Sequence, residues 1–333
     1  MDKNYFLNMV PAKYYDCADL KHQNAQRMIR NYNSLYYATI KKDGEWSRAI
    51  IDDDGNVTMQ SRTLSKVTGT YGDKTEHVPH IVEQLKEFFP KGTVLIGELC
   101  FLENKYTSKD VGSVLRCLPP KAIQRQKDKK LYYYIFDCLC YNGKNLMSTP
   151  YSERIKVLED LISNGVNIGE NISIPAIFKN QDFALLIQYV INNGGEGVVI
   201  CKKTYKYEPG KRKAWETLKV KKKINSLDLK VVDVLPPTKI YEGNNEDWCF
   251  VKNGERVTKY YYYGWAGSIV VELSGNKVRV SSGLSDDDRQ YLTTPEAKEL
   301  IKNGKLYAEV SAMEVTEDGS LRHPTLTRLR TDI

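Results

Sequence analysis

Lys41 closes the run Tyr36–Ile40 and is followed by Lys42-Asp43-Gly44. A lysine at a strand end projects toward a pocket mouth. Its ordinary pKa near ~10.4 keeps it protonated. Desolvation or neighbouring cations can strip that proton and make the amine a nucleophile. Lys219 and Lys221 are such cations: two residues apart on one strand, they point the same way. A same-face lysine pair can also hold a phosphate and neutralise charge while its phosphorus is attacked. Glu98, within Val94–Leu99, and Glu196, within Gly194–Ile200, are carboxylates in apolar strands. Such charge is costly unless paired or used. Glycines flank Glu196 on both sides and permit close backbone approach to a ligand. Asp43, Glu98 and Glu196 together predict a site for Mg²⁺ or Mn²⁺, hard ions that take oxygen ligands. The chemistry indicated is attack by a lysine amine on phosphorus.

Several elements must position these groups. Tyr36–Lys41 reads as a strand, with a turn at Asp43-Gly44, and Ser47–Ile51 and Val57–Ser61 as a hairpin about Asp54-Gly55. Ile81, Leu85, Phe88 and Phe89 are spaced as on a helix. Thr93–Phe101 and Leu131–Cys140 read as strands. Thr149 as N-cap and Pro150 at the first position predict a helix through Ile162. Phe183–Asn192 reads as a further helix, and Val198–Cys201 and Thr217–Val220 as strands flanking a Gly-Lys-Arg loop. Beyond Lys223–Leu227 the pattern changes to short strands, Leu229–Val234, Ser268–Leu273, Lys277–Ser281 and Leu306–Val315, with one helix near Pro295–Lys302. About 100 residues of that kind predict a small β-barrel. The expected division is 1–224 and 225–333.

The 333 residues suffice for two domains, and 41% apolar with 27% charged residues is a globular profile. The net charge is +7, and Lys202–Lys223 alone carries ten basic residues against Glu208 and Glu216. A concentrated basic segment suits a polyanion. Lys211-Arg212-Lys213 is expected to contact phosphate. The seven cysteines lack zinc-knuckle spacing and read as reduced thiols, which with no signal peptide and no membrane span predicts a cytoplasmic protein. With four histidines, a histidine-based hydrolase is disfavoured. His77 and His80 are read as loop residues because proline separates them. Tyr260–Tyr263 is read as a barrel strand with alternating burial.

The order of the pieces resembles the covalent nucleotidyltransferase superfamily, and within it the ATP-dependent DNA ligases. Lys41-x-Asp43-Gly44 looks like the motif whose lysine takes AMP, and Ser61-Arg62 like the Ser-Arg element after it. Gly97-Glu98-Leu99 is similar to the motif that contacts ribose, and Phe136-Asp137 to the element whose ring stacks on adenine. Ser152-Glu153-Arg154 resembles a helix start of the family. Glu196–Val199 and Leu218–Lys221 resemble its fourth and fifth motifs, and Arg322–Asp332 its closing motif. Trp46 stands where the family often has arginine, so that either Arg48 makes that contact or the contact is absent. Cys201 stands where lysine usually ends the fourth motif, and Ile333 where lysine usually follows the closing Asp332.

The resemblance implies an α+β fold: an ATP-grasp-like adenylation domain of antiparallel sheets and helices, then an OB-fold barrel. It implies a minimal two-domain, monomeric enzyme from a bacterium, phage or virus, sealing nicked duplex DNA through AMP covalently bound to Lys41. Lys41, Lys219, Lys221 and Arg62 are the expected catalytic residues. Asp43, Gly44, Arg48, Glu98, Phe136, Glu196 and Arg330 join them in binding ATP. An RNA ligase, a capping guanylyltransferase and a non-catalytic nick-binding protein are the alternatives.

Overall fold

The computed structural model describes residues 1–17, 20–65, 68–221, 224–243, 245–316 and 318–331, with backbone only at 224–226 and 247. The chain forms two compact units, Met1–Lys221 and Lys222–Ile333. No helix among the described residues is long and apolar enough to cross a membrane.

The first unit holds two sheets. The larger runs Tyr71–Asp73, Val57–Leu64, Glu45–Ile51, Thr93–Cys100, Tyr132–Tyr141 and Lys144–Asn145, with Ile172–Ser173 beside Tyr132–Tyr141. Period-two alternation gives it two apolar faces. Ala49, Leu95, Leu99, Tyr133 and Ile135 pack on the helices Pro79–Phe88, Ser108–Leu115 and Tyr151–Ser163 through Ile81, Leu85, Val111, Leu115, Ile155 and Leu158. On the opposite face Ile50, Val94 and Ile96 pack on Phe6, Met9 and Ala12 of the N-terminal segment.

The smaller sheet has the order Thr217–Lys221, Gly197–Lys202, Tyr36–Lys41, Phe178–Lys179. Tyr36, Ala38, Val198, Ile200, Leu218 and Val220 face the helices Gln23–Arg30 and Ala184–Asn192. The alternate positions, including Thr39, Lys41, Val199, Lys219 and Lys221, turn the other way and line a cavity.

In the second unit five antiparallel strands run Asn276–Val280, Ser268–Leu273, Ile224–Leu235, Tyr307–Ala312, Thr325–Arg330. A parallel bridge from Ser282 to Thr325 joins the outer strands. The long strand Ile224–Leu235 pairs on both sides and shifts register between Val231 and Asp233, a bulge that curls the sheet round Val231, Ile269, Val271, Val280, Ala308 and Val310. With Pro295–Lys302 between the third and fourth strands, this is the expected OB-type barrel.

Some local expectations differ from the structure. Tyr260–Tyr263 is not a barrel strand but part of the helix Lys259–Tyr263, started by the Thr258 hydroxyl, which accepts from the Tyr261 amide. Asp286–Tyr291 is an additional helix, capped reciprocally by Ser285 and Asp288. Pro150, not Thr149, is the N-cap of Tyr151–Ser163. His80 lies in the helix opened by Pro79, and His77 in a single 3₁₀ turn before it. Their Nε2 atoms meet the carbonyls of Cys117 and Leu131 respectively: His77 to Cys117 at 2.8 Å and His80 to Leu131 at 3.1 Å. None of the seven cysteines forms a disulfide.

Candidate active site

In the smaller sheet Lys41 pairs with Gly197, and Gly197 with Lys221; one step back, Thr39 and Lys219 both pair with Val199. Lys41 and Lys221 therefore flank a residue with no side chain. Gly197 has φ +152°, and a Cβ there would lie 2.0 Å from the Val220 carbonyl oxygen. The backbone thus demands glycine, and glycine leaves the ground between the two lysines open. Gly44 meets a similar demand, since its Cβ would fall 2.3 Å from the Leu99 carbonyl and 2.8 Å from Glu98 Cγ. This close approach packs the turn after Lys41 onto the strand that carries Glu98.

One cavity is lined by Lys41, Arg62, Glu98, Phe136, Lys219 and Lys221. Lys41 Nζ donates to Glu196 Oε2 at 2.6 Å. Burial alone pulls the Lys41 amine toward neutrality, but Glu98, Glu196 and Asp43 together raise its pKa above the usual value. The immediate surroundings of the amine are therefore anionic, where the sequence pointed to cations, and in the ligand-free protein Lys41 is an ammonium. Burial pushes Glu98 up to about 7, with Lys41 opposing and Glu196 adding to the rise. Glu196 is raised for the same first reason. Burial lowers Lys219, Asp16 opposes this, and Lys221, Lys41 and Arg62 add to it.

Glu98 gives a stability prediction. Its pKa in the folded chain lies above its unfolded value, so the native state holds the extra proton between about pH 4.5 and 7. Stability then falls as pH rises through that window, on the order of 3 kcal/mol in total. Glu98→Gln is expected to melt with wild type near pH 4.5 and clearly above it at pH 8. Parallel melting curves across the pH range would show that Glu98 ionises normally.

Arg62 Nη2 donates to the Ala12 carbonyl at 3.2 Å. Behind Phe136, Asp137 takes a bidentate pair from Arg154 (Nε 2.8 Å, Nη2 3.0 Å), with both side chains fully buried. This pair ties the Phe136 strand to the helix Tyr151–Ser163.

Arg48 is a correction. It does not line the cavity; its buried guanidinium donates to Met9 O at 2.8 Å, Leu7 O at 3.2 Å and Gln60 Oε1 at 2.7 Å. Trp46, on the same strand face one step nearer, takes the place at the cavity wall, while the N-terminal segment covers Arg48. The three-carboxylate metal site is a second correction. Among the described residues no group of three His, Cys, Asp or Glu side chains could hold a metal ion. Glu196 is engaged by Lys41, whose ammonium also feels the charge of Glu98 and Asp43. A Mg²⁺ that takes a single carboxylate and completes its shell with phosphates and water still suits Glu98, which lines the cavity. Arg330 lies in the second unit, where Nη1 pairs with Asp228 at 3.0 Å. Asp332 and Ile333 lie outside the described residues.

The cavity also contains residues the motifs do not mark: Ala12, Tyr14, Thr39, Tyr134, Tyr151 and Tyr207 among them. Thr39, Ile96 and Tyr134 stand two positions before Lys41, Glu98 and Phe136, so strand periodicity could have found them. Ala12 and Tyr14 arrive on the N-terminal segment, which runs beside the smaller sheet through Lys219 N to Tyr15 O (2.8 Å) and Tyr15 N to Thr217 Oγ1 (3.1 Å). On the same segment Asp16 Oδ2 lies 3.1 Å from Lys221 Nζ and 3.6 Å from Lys219 Nζ. Lys211 accepts from the Lys13 amide through its carbonyl, and Lys213 pairs with Glu208.

A family model described as the ATP dependent DNA ligase domain matches residues 18–221. The DNA ligase of Methanococcus aeolicus is 27% identical over 303 residues, covering 84% of this chain and 48% of its own length. That of Archaeoglobus fulgidus is 28% identical over 335 residues, covering 93% and 54%. The chain thus spans about half the length of the curated relatives it matches. A solved Lig E DNA ligase, described as binding DNA with a minimal scaffold, superposes with a TM-score of 0.60 at 17% identity, covering 97% of this chain and 98% of the other. At that identity the likeness establishes a shared fold alone.

Proposed function

We propose that this chain, which belongs to the ATP-dependent DNA ligase domain family, seals nicks in duplex DNA through a lysyl-adenylate on Lys41. The observation that carries the reading is the meeting of Lys41, Glu98, Lys219 and Lys221 in one cavity, with Glu196 on the Lys41 amine. First, Lys41 Nζ gives its proton to Glu196, the carboxylate 2.6 Å away, and attacks the α-phosphorus of ATP. The N–P bond forms, the bond to the bridging oxygen breaks and pyrophosphate leaves. Next, an oxygen of the 5′-phosphate at the nick attacks the same phosphorus and the N–P bond breaks. Finally, the 3′-hydroxyl attacks the 5′-phosphate, a phosphodiester forms and AMP departs.

Lys219, Lys221 and Arg62 neutralise charge on the phosphates and hold them in line. Phe136 offers a ring for the base, and Gly44 and Asp43 shape the turn that presents Lys41. Glu98 receives the ribose hydroxyls. Mg²⁺ or Mn²⁺ bound with ATP would draw on Glu98 and supply further neutralisation at the phosphates. The first unit carries adenylation, while the OB-fold grips DNA.

The test is a nicked-duplex panel with all-DNA, mixed and all-RNA strands, each with ATP, GTP or NAD. Sealing of the DNA nick with ATP alone is expected. Sealing confined to RNA strands, or labelling of Lys41 by GTP in place of ATP, would overturn the reading.

A further inference from the structure

We propose that Asp16 is a phosphate stand-in, a positioning residue whose carboxylate occupies the Lys219–Lys221 pair until a polyphosphate displaces it. The inference rests on the ATP reading of the cavity but on a different set of contacts. One carboxylate oxygen lies within 3.6 Å of both Nζ atoms that would otherwise meet the phosphate. No sequence motif marks Asp16; backbone pairing places it there. Asp16 bridges in parallel to Lys219, Lys13 bridges to Arg212, and the amide of Lys219 donates to the Tyr15 carbonyl at 2.8 Å.

The backbone of the N-terminal segment is thus fixed while the Asp16 side chain is 41% exposed and can swing aside. A partly exposed ion pair of this kind is weak, and a phosphate carrying more charge outcompetes it. Two consequences follow from the contact. The lysines stay paired and aimed into the cavity between turnovers. A ligand must also offer more charge than one carboxylate to claim them, which favours ATP over singly charged anions.

The experiment compares wild type, Asp16→Asn and Asp16→Glu in two measurements. Calorimetric titration with inorganic pyrophosphate needs no chemistry at Lys41. Asp16→Asn is expected to bind pyrophosphate about fivefold more tightly than wild type, the worth of one partly exposed ion pair. Asp16→Glu, which keeps the charge, is expected to bind as wild type does. In Lys41 labelling, the ATP concentration for half-maximal rate should fall by a similar factor in Asp16→Asn, with the maximal rate little changed. Unchanged or weaker pyrophosphate binding by Asp16→Asn overturns the proposal, as does equal tightening in Asp16→Glu. Failure of wild type to acquire label from ATP overturns the ligase reading instead, and leaves the pyrophosphate titration to decide the role of Asp16.

Discussion

Lys41→Arg is expected to fold like wild type and to lose covalent capture of adenylate. Arginine keeps the positive charge that faces Glu196, Glu98 and Asp43, so the acidic cluster stays compensated. What it cannot supply is an unprotonated nitrogen, because a guanidinium does not give up its proton in a protein. Removal of a nucleophile costs on the order of 10⁴ or more in rate, with only binding and charge stabilisation left. Labelled ATP followed on a denaturing gel reads the loss, and thermal melting reads the intact fold. Label retained at a comparable rate would move the nucleophile elsewhere.

The largest stability effect is expected at Arg154. Its guanidinium is fully buried, holds both Asp137 oxygens and also donates to Thr149 O at 2.8 Å and Tyr205 O at 3.1 Å. Arg154→Ala strands a carboxylate with no exposure, and breaking such a pair from one side costs about 3–5 kcal/mol. The midpoint of urea unfolding for the first unit should drop accordingly. Replacing both partners, Arg154→Met with Asp137→Leu, should recover much of the loss, because the desolvation penalty leaves with the charges. A single-variant loss under about 1 kcal/mol would mean that water reaches Asp137 once the arginine is gone. The pair also sets the place of Phe136, so weaker ATP capture should accompany the lower stability.

What the sequence makes legible here follows strand periodicity. Lys41, Glu98, Phe136, Lys219 and Lys221 each sit on a strand whose alternate residues are apolar, and that alternation sends them all to one cavity. The expectation for Arg48 came from the family resemblance, which says nothing of what covers a strand face. Arg48 shares the parity of Trp46, but carbonyls about forty residues earlier, on Leu7 and Met9, bury it. Tyr260–Tyr263 shows the opposite limit: aromatic residues favour strands, yet a Thr258 cap and a glycine at φ +70° after the segment make it one short helix. Asp16, Tyr14 and Ala12 were illegible for a different reason. Their contacts, Asp16 with Lys219, Tyr14 with Tyr205 and Ala12 with Tyr207, span about two hundred residues, and no local pattern encodes such a pairing. The acidity around Lys41 was hidden likewise, since Glu196 reaches the amine only through the register of two strands far apart in the chain.

The most direct test of the covalent step is intact-mass measurement of the protein after incubation with ATP and Mg²⁺, followed by peptide mapping. The expected result is a gain of one adenylyl group, acid-labile as a phosphoramidate and located on Lys41. An unmodified Lys41, with the adduct on another residue or ATP bound only reversibly, would contradict it.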